Sequence, residues 1–109
     1  MTTVYTTAEF DKWMFFDFNQ NLSFRQCERK AEALQQFKNG NFPDKVKLII
    51  AQIGQHHISE CTSFKVVDDK IQYYVREHQT KWGGSLKGHR KLDLNNFCKY
   101  LAVTRRIKF

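Results

Sequence analysis

Proline occurs once and glycine five times in 109 residues. No stretch is rich in Pro, Ser or Gln, so the composition offers no linker and no internal boundary. No repeat of solenoid length is visible. Long apolar runs are missing as well: the longest apolar-rich stretch, Trp13 to Phe18, is interrupted by Asp17 and falls far short of the ~20 residues a bilayer-spanning helix needs. The segment Met1 to Glu9 lacks the basic start, apolar run and small-residue site of a secretory signal. Together these absences predict one soluble domain over residues 1–109, cytoplasmic or nuclear rather than secreted, and with no membrane partner.

Cysteine is scarce and odd in number. Cys27, Cys61 and Cys98 are far apart, and each falls in an apolar-periodic segment, which predicts reduced, buried thiols and no disulfide framework. His56, His57 and Cys61 are close in sequence, but no second Cys/His pair completes a tetrahedral set, so no metal is expected. No cofactor is expected either: the glycines of 83–88 match neither Walker A nor a dinucleotide fingerprint.

What is present is apolar material and segregated charge. Hydrophobic residues make up 41% and aromatic residues 15% of the chain, enough for one compact core. Residues 1–60 carry seven Lys/Arg against seven Asp/Glu, residues 61–78 three against three, and residues 79–109 eight against Asp93 alone, so the whole net charge of +7 sits in the last 31 residues. A surplus confined in this way is a local field suited to an anionic partner.

Local patterns predict an α+β fold. Thr2 to Thr6 reads as a short strand, and Thr6 or Thr7 caps a first helix through Phe10, Trp13 and Met14. Trp13, Phe15, Phe16 and Phe18 exceed one buried stripe, and core packing is their simplest use. Ser23 and Gln26 fit a capping box opening a second helix, whose stripe is Phe24, Cys27, Ala31 and Leu34 and which ends at Asn39 to Asn41. Asp44 is the expected N-cap of a third helix through Val46, Ile49, Ile50 and Ile53. The dense β-branched residues also allow a strand there, but Lys45, Lys47 and Gln52 fall where a polar helical face belongs.

The period then changes to two. Thr62, Phe64 and Val66 alternate with Ser63 and Lys65, Asp68 and Asp69 turn the chain, and Ile71, Tyr73 and Val75 alternate with Gln72, Tyr74 and Arg76. This predicts an antiparallel β-hairpin with one buried face. Residues 80–91 contain three of the five glycines and read as a flexible basic loop. Asp93 caps a C-terminal helix with the stripe Leu94, Phe97, Cys98 and Leu101, and Val103 to Phe109 has the composition of a terminal strand.

The functional expectation follows from alternation and charge. If Ile71, Tyr73 and Val75 point inward, then Tyr74, Arg76 and His78 share the outer face, with Lys65 beside them. Lys81, Trp82, Lys87, His89, Arg90 and Lys91 follow in the loop, and Arg105 and Arg106 gather at the last helix end. Rings that stack on bases, interleaved with cations that meet phosphates, suit nucleic-acid binding, RNA ahead of DNA because no major-groove recognition helix stands out. The alternatives are a small metal-independent endoribonuclease using His78 or His89 as acid or base, and a regulator or inhibitor docking on an acidic protein surface. Neither histidine lies in a catalytic motif, so no catalytic residue is assigned.

Overall fold

The computed structural model describes residue 13, residues 21–79 and residues 85–109, with backbone alone for 77–79, 85 and 86. Helix α1 spans Phe24–Lys38, α2 spans Asp44–Ile53 and α3 spans Leu94–Thr104. Strands β1 (Cys61–Val67), β2 (Lys70–Gln79) and β3 (Ser85–Asp93) form one antiparallel sheet in the order β1-β2-β3. The fold is α+β. The expected N-terminal strand and first helix fall outside the described residues, save Trp13, which is helical and buried.

α1 begins where its capping box dictates. The Ser23 hydroxyl accepts from the Gln26 N–H at 3.3 Å and the Gln26 side chain accepts from the Ser23 N–H at 2.8 Å, which satisfies two donors that the first helical turn would otherwise leave open. Its buried face departs from the expected stripe. Phe24 is 81% exposed, and Cys27 and Ala31 are exposed, whereas Ala33 and Phe37 are fully buried. The face lies roughly 120° around the axis from the anticipated one, because Phe37 stacks on Phe42 at 5.0 Å and meets Phe97 and Phe109. A large ring in the middle of the core sets the helix's rotation more strongly than Phe24 at its exposed start.

α2 is a helix, with Val46, Ile49, Ile50, Ala51 and Ile53 buried. Pro43, not Asp44, is its N-cap and makes no side-chain cap bond; Asp44 is the first helical residue. Proline's fixed φ places the chain at the helix entrance, and the Asp44 carboxylate then acts on the positive end of the helix dipole. The α3 N-cap is Asp93 as expected, its carboxylate accepting from the Asn96 N–H at 2.9 Å. Leu94, Phe97, Cys98 and Leu101 are buried, and α3 packs chiefly along α1. The helix runs to Thr104 and Arg105 closes it in the left-handed region at φ 57°; residues 105–109 are irregular, so the anticipated terminal strand does not form.

The β1–β2 turn consists of Asp68 and Asp69, both at positive φ (52° and 59°), between the paired Val67 and Lys70. Two positive-φ residues match the right-handed strand twist of a two-residue hairpin, and aspartate tolerates that conformation. β1 carries one extra residue between Thr62 and Lys65, with Ser63 at φ 59°. This bulge turns Thr62 outward, opposite Tyr74, while Cys61 and Phe64 face the core. Strict alternation had grouped Thr62 with Phe64.

The core is one cluster threaded by rings in contact. Trp13 meets Tyr100 at 5.3 Å, Tyr100 meets Phe97 at 6.5 Å, and Phe97 meets Phe37 at 6.2 Å. Beyond Phe37 the series continues through Phe42, Phe64 and Tyr73 to His56, with centroids 5.0 to 6.3 Å apart. Cys61 and Cys98 are buried, but Cys27 is exposed because the α1 face that bears it is turned away from the core. All three thiols are free. Among the described residues no helix is long and apolar enough to cross a membrane.

Candidate functional site

The inner face of the sheet carries the apolar side chains of β2, and among the described residues the opposite face is the more exposed one. Ile71, Tyr73 and Val75 are buried, while Gln72 and Tyr74 are half-buried and Arg76 is exposed. The main departure from expectation lies in residues 85–93, which are not a loop but the third strand. Few of its side chains favour a strand by themselves. Its pairing is templated by the long ladder of β2, from Lys70 opposite Asp93 to Gln79 opposite Ser85.

That pairing arranges the basic residues in rows. Tyr74 stands between Thr62 on β1 and His89 on β3, and Gln72 stands between Lys65 and Lys91. The Tyr74 and His89 rings meet edge to face at 5.3 Å. Along β3, Lys87 and Lys91 flank His89 on the same face, each exposed, about 7 Å to either side by strand rise. Lys65 lies on this face across from Lys91, two strand spacings or about 10 Å away. Arg76 also lies on this side, its guanidinium donating to the Ser59 carbonyl. That carbonyl belongs to the short 3-10 turn Ile58–Glu60, which is entered by a His57 Nδ1 that accepts the Ser59 N–H. Asp93, opposite Lys70 at the end of the ladder, has its carboxylate occupied in capping α3.

Other candidate residues fall elsewhere. Arg90 pairs with Tyr73, so it lies on the core-side face, opposite to His89 and Lys91. β2 holds an extra residue between Val75 and His78, so the backbone of His78 pairs with Leu86 and strict alternation from Tyr74 does not reach it. Lys81 and Trp82 lie outside the described residues. Arg105 and Arg106 stand at the far end of α3, about 16 Å from its sheet-side start. There Arg106 donates to the Tyr100 hydroxyl at 2.7 Å and sits 5.7 Å over its ring. The sheet therefore brings together Lys65, Tyr74, Arg76, Lys87, His89 and Lys91, and leaves out Arg90, Arg105 and Arg106. Thr62 and Gln72, which complete the two rows, were not singled out from sequence; the β1 bulge hid the first, and an uncharged side chain gave no signal for the second.

Comparison of the chain with protein-family models, with curated proteins and with solved structures found no match. The functional reading therefore rests on the geometry of this face. Among the described residues no three His, Cys, Asp or Glu side chains gather as a metal site would require.

Proposed function

We propose that the more exposed sheet face binds single-stranded nucleic acid, RNA in preference to DNA, without cleaving it. The observation that carries this reading is the Tyr74–His89 ring pair bracketed along β3 by Lys87 and Lys91. A base stacks on the ring platform irrespective of its identity, and the flanking ammonium groups meet the phosphates on either side. Lys65 and Arg76 extend the cationic border. The preference for single strands over duplex DNA has a second support: the exposed side of α1 mixes Arg25 with Glu28 and Glu32, which is not the basic face of a major-groove reader. The reading extends to a single-domain protein of a reducing compartment, cytoplasmic or nuclear, consistent with three free thiols.

The test is fluorescence anisotropy with a short labelled single-stranded RNA. Tyr74→Ala removes one stacking partner and lowers affinity about 5- to 150-fold, the equivalent of ~1–3 kcal/mol per stacked base. Tyr74→Phe keeps the ring and most of the affinity. Equal binding by wild type and Tyr74→Ala overturns the proposal, and shortening of the RNA on a gel run in parallel replaces it with an endoribonuclease. Failure to bind RNA together with retention of an acidic protein would favour the regulator.

A further inference from the structure

The core-side position of Arg90 leads to a second site. Between the C-terminal turn of α2 and the β2–β3 ladder lies a pocket of about 350 Å³, lined by Ile50, Ile53, Gly54, Tyr73, Arg90 and Leu92, and also by His56 and Lys91. Its volume falls within the range of small-molecule sites and is about twice that of a cavity known to hold one benzene ring. Ile50, Ile53 and Leu92 supply an apolar wall. Gly54 makes the approach of Tyr73 feasible: a Cβ at this position would stand 2.5 Å from the Tyr73 hydroxyl and 2.8 Å from the His56 ring.

Arg90 supplies a cation to the pocket, and none of its described lining residues is Asp or Glu. Burial, reinforced by Cys61 and opposed by Arg90, pushes the Tyr73 hydroxyl up to about 12, so at neutral pH it keeps its proton and serves as a donor. The negative end of α2 does not cancel these donors. The Ile50, Ala51 and Gln52 carbonyls already accept from the backbone N–H groups of Gly54, His56 and Gln55, which leaves little of the exposed partial charge that a helix C-terminus normally presents.

We propose that this pocket binds a small amphipathic monoanion, an aromatic carboxylate of one or two rings, with its ring against Ile50, Ile53 and Leu92 and its carboxylate on the Arg90 guanidinium and the Tyr73 hydroxyl. Arg90 matches a carboxylate in a planar, two-pronged manner that a lysine cannot. The site is separate from the Tyr74–His89 face and does not depend on nucleic-acid binding there.

The experiment is a titration of the isotope-labelled full chain with naphthalene-2-carboxylate, and in parallel with the uncharged naphthalene-2-carboxamide, followed by backbone amide shifts. Saturable shifts are expected at Gly54, Tyr73, Arg90 and Leu92. The carboxylate binds about tenfold or more tightly than the carboxamide, as loss of a charged hydrogen bond implies. Arg90→Gln abolishes that preference and leaves the carboxamide affinity within about twofold, while Tyr74→Ala leaves both affinities unchanged. An absent preference in the wild type overturns the proposal without recourse to any variant. Shifts confined to Lys65 and Lys87 do the same, since they mark an anion adsorbed on the other face.

Discussion

The division of cations between the two faces of the sheet makes a quantitative prediction about salt. Four exposed cations, Lys65, Arg76, Lys87 and Lys91, border the Tyr74–His89 pair, whereas Arg90 pairs with Tyr73 on the opposite side. If each of the four neutralises one phosphate of a single strand, the logarithm of affinity falls with the logarithm of salt at a slope of about −2.8, from ~0.7 per phosphate. Between roughly 50 and 200 mM KCl the wild type then loses about 50-fold in affinity. Replacing Lys91 with Gln removes one contact, reduces the slope to about −2.1 and shrinks the loss to about 18-fold. Lys87→Gln does the same. Arg90→Gln leaves the slope unchanged, although it removes the same formal charge from the same strand, one residue away. The assay is anisotropy of a labelled single-stranded RNA at five or more salt concentrations, with melting curves to show that each variant is folded. A wild-type slope shallower than about −1, or an Arg90→Gln slope reduced as much as that of Lys91→Gln, refutes the assignment of these charges to one face.

Three further outcomes test the structure itself. Gly54→Ala should destabilise by about 1–3 kcal/mol, because its Cβ would meet the Tyr73 hydroxyl at 2.5 Å; in a urea-denaturation double-mutant cycle Tyr73→Phe recovers part of that loss, and strict additivity contradicts the contact. Ellman's reagent should titrate one thiol, Cys27, in the native protein and all three in denaturant; a Cys27→Ser variant that still reacts promptly would show Cys61 or Cys98 to be accessible. Stability should decline as pH rises above 9, since burial pushes Cys98 from 9.0, and Tyr73 from 10.0, each up to about 12. The native state holds these protons more tightly than the unfolded chain, so the stabilisation is complete below the unfolded values and is lost toward the folded ones. Cys98→Val should flatten the decline in thermal midpoint between pH 9 and pH 12 measured by circular dichroism, and an unchanged slope would count against the buried thiol.

Features determined by the sequence itself are those settled within a few residues. The Ser23 and Asp93 caps, the Asp68–Asp69 turn and the apolar stripes of α2 and α3 are where their spacing puts them, because the groups that satisfy one another lie three or four residues apart, or are adjacent at the turn. The face with Tyr74 was legible for the same reason, since alternation holds along β2 from Lys70 to Val75. Tertiary structure decided the rest. The rotation of α1 follows from the rings that meet Phe37, drawn from Phe42, Phe97 and Phe109. Residues 85–93 become a strand because β2 supplies the hydrogen-bonding ladder that Lys87, Gly88, His89 and Arg90 would not form by propensity. The bulges at Ser63 and after Val75 shift parity by one residue. Within β3 itself the register is unbroken, and the alternation of successive strand side chains between the two faces places Arg90 opposite to His89 and Lys91, dividing one basic sequence segment between two surfaces.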